Sequence, residues 1–307
     1  MNNDATAPVQ IKNLSRRFGA KVALDDVTLE VPRGCVFGLV GENGAGKTTL
    51  IKHVLGLLKA EQGSVRVFGL DPVDDPPAVL SRLGYVSEAR DLPPWMRVDE
   101  LLRYTQAFYP KWDAAYAERL RGQFGLDART KVKHLSRGEL AKAALLVALA
   151  YRPELLVLDE PSSGLDPVVR RDILEAIVRT VADEGRTVLF SSHLLDEIER
   201  VSDRVAMIVN GRVVLNGALD EIKAAHHQVT LRFAEPQALA PKLARALTID
   251  GAGQEWSVLC NGGRQEMISD AIKLGAQVVS ERSPTLDEIF VARAGRKNSA
   301  RSAEAAK

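Results

Sequence analysis

The run Gly41-Glu42-Asn43-Gly44-Ala45-Gly46-Lys47-Thr48-Thr49 confines this chain to a narrow set of folds. It has the form G-x-x-x-x-G-K-[ST], in which each residue type has a mechanical task on a phosphate chain. Without side chains, Gly41, Gly44 and Gly46 let the backbone bend tightly and turn its N–H groups toward phosphate oxygens. Asn43, Ala45 and Thr49 complete the loop. Lys47 reaches the β- and γ-phosphates as a point charge, and the Thr48 hydroxyl completes a Mg²⁺ shell. The flanks agree. Val36-Phe37-Gly38-Leu39-Val40 is an apolar run that reads as a buried strand, and Thr49 to Leu55 has helical spacing. The phosphates therefore sit at a helix N-terminus, where backbone donors and the helix dipole favour anions. The loop predicts a nucleoside triphosphate bound with Mg²⁺.

The rest of the chain supplies a sheet for that loop. Leu155 to Leu158 and Thr187 to Phe190 are continuous apolar runs, with a helical stretch from Pro167 to Glu184 between them. Such runs are strands buried on both faces of a parallel sheet, which makes the domain α/β. Val9 to Phe18 and Ala23 to Val31 alternate as antiparallel strands do. Gly63 to Gly69 is a short strand, residues 71–79 lead into a short helix, and Gly84-Tyr85-Val86 is another strand. From Asp99 to Tyr151 the pattern is helical, broken at Pro110. Val205 to Leu215 with Asn210-Gly211 at its centre predicts a hairpin with a type I′ turn. After about Ala224 strand-like and helical segments alternate at shorter range. The expected organisation is a nucleotide-binding domain over 1–224, a small α+β domain over 225–294 and a disordered tail over 295–307.

Composition excludes other classes. The net charge is +1 with no basic stripe, so no nucleic-acid partner is expected. The longest apolar run, Ala143 to Ala150, is far short of the ~18–20 residues of a membrane span. Residues Met1 to Pro8 lack a basic-then-apolar signal pattern. Cys35 and Cys260 lie far apart in unrelated contexts, which predicts no disulfide and a reduced cytosolic setting.

The loop needs carboxylates to hold Mg²⁺ and to activate water, and Leu155-Leu156-Val157-Leu158-Asp159-Glu160 ends a strand in two acids. Asp159 is the expected Mg²⁺ ligand beside Thr48, and Glu160 the general base. Just upstream, Leu135-Ser136-Arg137-Gly138-Glu139 opens a helix with a capping serine. With these motifs, residues 9–224 resemble the ATP-binding cassette (ABC) ATPases. The resemblance implies a P-loop core with an antiparallel β subdomain and a helical subdomain over about 86–151. It implies that Ser136 and Gly138 face the γ-phosphate of ATP on a second subunit, and that Ser163-Gly164-Leu165-Asp166 crosses the dimer interface. It places Phe18 against adenine and His193 against the γ-phosphate. Glu88 stands where the family usually has Gln, sensing γ-phosphate, Mg²⁺ and the membrane partner. Arg137 and Glu139 depart likewise from the usual Gly and Gln.

The implied activity is ATP hydrolysis in a dimer, with a second copy of the chain or a homologous subunit. The implied load is a separate integral membrane permease, the chain lying peripherally on the cytoplasmic face of the cell membrane. Docking is expected near Glu88 and residues 91–124, where Leu92-Pro93-Pro94-Trp95-Met96 is apolar; Trp95 reads equally as core. Ser283 to Phe290 resembles the closing segment of exporter-type subunits, which implies export and a dimerising or regulatory second domain. The alternatives are an ABC-type ATPase that moves no solute, and a regulatory subunit that binds ATP but hydrolyses it weakly.

Overall fold

A computed structural model describes residues 7–182 and 185–293. The chain divides into two compact units between Asn216 and Gly217.

The first unit holds two sheets. One is antiparallel, with strands β1 (Val9–Phe18), β2 (Lys21–Val31) and β4 (Gln62–Val67) in the order β2-β1-β4. The other has six strands: β3 (Val36–Val40), β5 (Leu83–Val86), β6 (Leu155–Asp159), β7 (Thr187–Ser192), β8 (Arg204–Val209) and β9 (Arg212–Ala218), in the order β5-β6-β7-β3-β8-β9. From β5 to β8 every neighbouring pair is parallel. Every residue of β3, β6 and β7 is buried, which is why their sequences run apolar without alternation. Helix α1 (Lys47–Val54) lies in the layer between the sheets. Its Leu50, Ile51 and Val54 are fully buried in a cluster with Val9, Ile11 and Leu29 on one side and Phe37, Leu39 and Val157 on the other. Each such side chain contributes about 1.5–3 kcal/mol by leaving water.

The helical region over 99–151 breaks at Pro110, as its pattern predicts, and again ahead of the capping Ser136. It forms α3 (Val98–Gln106), α4 (Ala114–Gln123) and α5 (Arg137–Leu149), and only the first gap contains Pro110. The second gap opens at Gly125, whose φ of 68° no helix accommodates; one 3-10 turn (Val132–His134) follows. Helix α2 (Pro76–Leu80) is capped by Asp75, whose carboxylate accepts the Ala78 N–H at 3.2 Å. Helix α6 (Pro167–Ala182) follows β6, and Glu184 lies outside the described residues. Helix α7 (Leu195–Val201), without a periodic stretch long enough to announce it, joins β7 to β8. The β8–β9 hairpin turns at Asn210 and Gly211 with φ of 50° and 77°, as a type I′ turn requires. Trp95 is 68% exposed, which settles it as a surface residue.

The second unit contains α8 (Leu219–Ala225), β10 (His226–Gln237), β11 (Ala246–Asn261), α9 (Arg264–Lys273), β12 (Ala276–Arg282) and a helix over 286–293. Its sheet is antiparallel in the order β11-β10-β12. Val229, Leu231 and Phe233 of β10 alternate inward to meet Trp256 and Val258 of β11 and Met267 and Ala271 of α9. The strand around Trp256 to Leu259 is much longer than its apolar stretch. Both cysteines are buried and free. The expected tail over 295–307 lies outside the described residues.

Candidate functional site

Three neighbouring strands of the six-stranded sheet end together. In register, Val40 of β3 pairs with Ser192 of β7, and Ser191 of β7 pairs with Asp159 of β6. The Gly41–Thr49 loop, the Asp159–Glu160 pair and His193 are thereby delivered side by side at the carboxyl edge, where open α/β sheets form their ligand crevice.

The loop's shape depends on two bare positions. A Cβ on Gly46, at φ 115°, would lie 2.5 Å from the Ala23 carbonyl oxygen, and one on Gly41 would lie 2.5 Å from that of Ile208. Gly46 also serves as the N-cap of α1, so no side chain occupies the helix's first N–H groups, and the N-terminus can receive an anion. The tip of the β8–β9 hairpin supports the loop from behind: the Gly211 N–H donates to the Ala45 carbonyl at 3.0 Å. The loop opens on a cavity of about 390 Å³ lined by Phe18, Lys21, Ala23, Glu42, Asn43, Gly44, Gly46, Lys47, Thr48, Thr49, Glu88 and Glu160.

Glu160 joins the loop to His193. The Lys47 ammonium lies 3.0 Å from Glu160 Oε1 and donates to the Gly41 carbonyl at 2.6 Å. Oε2 of the same carboxylate takes the His193 ring Nδ1 at 2.7 Å and the His193 backbone N–H at 3.3 Å. A carboxylate only accepts, so Nδ1 carries the proton of that contact. Lys47 and Glu160 are both buried, and the interaction of two such charges in a poorly solvated site is strong. Glu160 has φ 51°, a left-handed conformation that costs a non-glycine residue roughly 1–2 kcal/mol. Strain of this kind persists where neighbours over-determine it: the Glu160 N–H donates to the Ser191 carbonyl at 3.2 Å and to Ser191 Oγ at 3.1 Å. Ser191 Oγ in turn donates to Asp159 Oδ1 at 2.7 Å, which fixes that carboxylate's rotation. Burial, and secondarily the Asp159 charge, pushes the Tyr85 hydroxyl up to about 12.

Other sequence-predicted residues are placed as follows. Phe18, 46% exposed at the cavity, has the Arg16 guanidinium 4.8 Å from its ring centroid. Glu88 accepts a long hydrogen bond from Ser163 Oγ at 3.4 Å. Ser136 and Gly138 belong to the start of α5. Ser136 Oγ accepts the Glu139 N–H at 3.2 Å while Glu139 Oε2 accepts the Ser136 N–H at 2.8 Å, a reciprocal capping box. Buried Gly138 packs on Val169 of α6, where a Cβ would come within 2.8 Å of a valine methyl. Among the described residues no group of three His, Cys, Asp or Glu side chains would hold a metal alone. The oxygen-only pair Thr48 and Asp159 suits Mg²⁺, a hard cation that takes few protein ligands and completes its shell with phosphate and water. The sequence reading missed Lys21, which the β1–β2 turn brings to the cavity wall. It also missed Arg90, whose Nη2 donates to the Pro161 carbonyl at 2.9 Å and the Ser163 carbonyl at 2.8 Å. Neither carries a motif. The serines at 191 and 192 and Glu197 were within view, flanking His193, without a spacing that marks them.

The chain is similar to several known proteins. A family model described as ABC transporter matches residues 24–163. DrrA of Streptomyces peucetius, a daunorubicin/doxorubicin resistance ATP-binding protein, is 33% identical over all of this chain and 98% of its own length. The ABC transporter ATP-binding protein YtrB of Bacillus subtilis (strain 168) is 29% identical over 94% of this chain and 99% of its own. A solved ATP-binding subunit of an ABC transporter matches 70% of this chain and 92% of its own with 33% identity and a TM-score of 0.65.

Proposed function

The chain belongs to the ABC transporter ATP-binding protein family, and from that premise we propose that it is the ATPase of an exporter. It binds ATP with Mg²⁺ at the Gly41–Thr49 loop, hydrolyses it, and passes the resulting motion to a separate integral membrane permease.

The observation that carries this reading is the contact of buried Lys47 and Glu160 with exposed His193 at the mouth of the loop. Phosphate entering the loop offers Lys47 a second set of anionic oxygens, and the ammonium moves to them as a compact charge that offsets the β- and γ-phosphates. Glu160, released from Lys47 on Oε1 and still oriented by His193 on Oε2, accepts a proton from the attacking water; positioned bases of this kind contribute ~10²–10⁴-fold. Thr48 and Asp159 would hold Mg²⁺, which would supply positive charge to offset that of the phosphates. Phe18 offers its ring to adenine. Glu88, acceptor-only when ionised, accepts from water rather than donating to phosphate. A second copy supplies Ser136 and Gly138 to close the site.

Export is supported by the drug-resistance name of DrrA and by the Ser283–Phe290 segment. No helix among the described residues is long and apolar enough to cross a membrane, so the load is a partner's, and the chain sits on the cytoplasmic face of that membrane. The docking surface takes in the exposed aromatics Trp95, in the loop before α3, and Tyr104 and Phe108, which meet edge to face at 5.1 Å. The test is Glu160→Gln in the chain expressed with its permease. The variant should keep ATP binding, accumulate as a dimer and lose hydrolysis by ~100-fold or more. Unchanged hydrolysis sinks the role of Glu160, and a chain with which no membrane protein co-purifies sinks the coupling.

A further inference from the structure

One buried carboxylate of the first unit has no part in that chemistry. Glu197, on α7, is 1% exposed. Its Oε2 accepts from Ser162 Oγ at 2.6 Å and from Ser192 Oγ at 3.2 Å, and its Oε1 lies 3.0 Å from Arg170 Nε. A buried carboxylate is tolerated only with such partners, and the identity of these three is informative. Ser162 lies two residues after Glu160. Ser192 immediately precedes His193 and its Oγ also accepts the Leu194 N–H at 3.0 Å, so it sits in the bend that turns the histidine. Arg170 is on α6, the helix that the 163–166 segment enters.

Glu160 and His193 come from the ends of different strands, and their 2.7 Å contact depends on how those ends are held together. Ser191 provides one clip, on the backbone of Glu160 itself. Glu197 provides a second, on the far side of both residues. The turn it grips is a tight one: the Ser163 N–H donates to the Glu160 carbonyl at 3.1 Å and the Leu165 N–H to that of Ser162 at 3.2 Å. A shift of Ser162 is therefore passed to Glu160, whose left-handed backbone gives it no relaxed position to fall back on.

We propose that Glu197 is a positioning residue that sets the Glu160–His193 geometry by tying the turn after the first to the bend before the second. The proposal rests on Glu160 and His193 being the hydrolytic pair. It is tested in the full-length chain by steady-state ATP hydrolysis and by equilibrium ATP binding. Glu197→Gln keeps an acceptor oxygen for the two serines but loses the charge facing Arg170; Glu197→Ala loses every contact. Because misplacing a catalytic group by about an ångström costs up to ~10²-fold, kcat should fall by about tenfold or more in Glu197→Ala and less in Glu197→Gln. The KM and Kd for ATP should stay within about twofold, since Lys47 and the loop amides are untouched. Ser162→Ala and Ser192→Ala, each removing one hydrogen bond, keep the test informative if Glu197→Ala does not fold. Each should lower kcat alone, and where Glu197→Ala folds, Ser162→Ala should add little to it. Wild-type kcat in all four variants overturns the proposal. So does a parallel fall of kcat, ATP affinity and thermal midpoint, which would mark Glu197 as general scaffolding. Glu160→Gln, measured alongside, separates the levels: if it hydrolyses ATP at the wild-type rate the pair itself is misassigned and the proposal falls with it, whereas an inactive Glu160→Gln beside unaffected Glu197 variants overturns the proposal alone.

Discussion

The carboxyl edge of the six-stranded sheet and the three-stranded sheet of the second unit place their charges in opposite ways. At the edge, Lys47, Asp159, Glu160 and Glu197 are buried and share hydrogen bonds with Ser162, Ser191, Ser192 and His193. In the second unit Arg232–Glu255, Arg245–Glu266, Arg264–Glu281 and Arg282–Glu288 pair at the surface, and the interior is built from Val229, Leu231, Phe233, Trp256 and Val258. A buried ionic network is weak evidence for stability, because desolvation offsets attraction, whereas a well-packed apolar interior is strong evidence for it. The difference teaches that the first arrangement is kept for what it does to a ligand and the second for what it does to the fold.

The largest effect that would break this contrast is at Lys47. Lys47→Met fits an apolar chain into the space but leaves Glu160 buried beside no cation and the loop without its point charge. ATP affinity should fall at least tenfold and hydrolysis by ~10³-fold, on the scale of losing a preorganised charge at a reacting centre. Unfolding free energy should change far less in proportion. Titration calorimetry and a denaturant melt on the same sample decide it: a stability loss as complete as the activity loss would make the network structural after all. Next in size is the converse change, Leu231→Ala in β10. Removing a fully buried leucine costs about 2–5 kcal/mol, and hydrogen exchange should show that loss in the amides of β10, β11 and β12 while the Kd for ATP is unchanged. Equal loss of ATP binding would show that the second unit's interior also serves the site.

The same contrast governs what could be read from the sequence. The loop and its acids were legible because phosphate chemistry needs those residue types at fixed spacing: Gly46 because only a bare Cα passes the Ala23 carbonyl, and Asp159 because a carboxylate closing an apolar run marks the end of a strand buried on both faces. β3, β6 and β7 were legible for the same reason of double burial. Their neighbours in the network were not. Glu197 sits on a seven-residue helix, too short for a periodic signal, and nothing local distinguishes its carboxylate from the exposed Asp196 beside it. Arg90 reads as one more charged loop residue until the Pro161 and Ser163 carbonyls are seen to converge on it. The capping Ser136 announced the far end of the second gap in residues 99–151, but its near end at Gly125 was hidden, since a single glycine in a helical pattern is usually tolerated. Gly138, read for phosphate, is also a packing position against Val169, and only tertiary contact reveals a second demand of that kind.

The smallest expected effect sharpens the comparison from the surface side. In the second unit Arg282 grips Glu288 with two hydrogen bonds, and Glu288 Oε2 also accepts the Thr285 N–H at 2.8 Å. These contacts, the arginine first, hold the Glu288 carboxyl down at about 2, against 4.5 ordinarily. A carboxylate with a depressed folded-state pKa contributes stability that is fully present above the unfolded value and is lost as pH falls toward the folded one. The window here is therefore about pH 4.5 down to about pH 2. The pair is solvent-exposed, so water screens it and its contribution is no more than ~1 kcal/mol. Glu288→Gln should lower the unfolding free energy of the second unit by about that much at pH 7, as an exposed charged pair permits, and by less at pH 3, with ATP hydrolysis unaffected. A wild-type-to-variant difference that stays constant from pH 7 to pH 3 would mean that the charge on Glu288 contributes nothing and that only the backbone cap at Thr285 matters. A change in hydrolysis would place a surface pair of the second unit in the working part of the molecule, where the contrast between the two regions has no room for it.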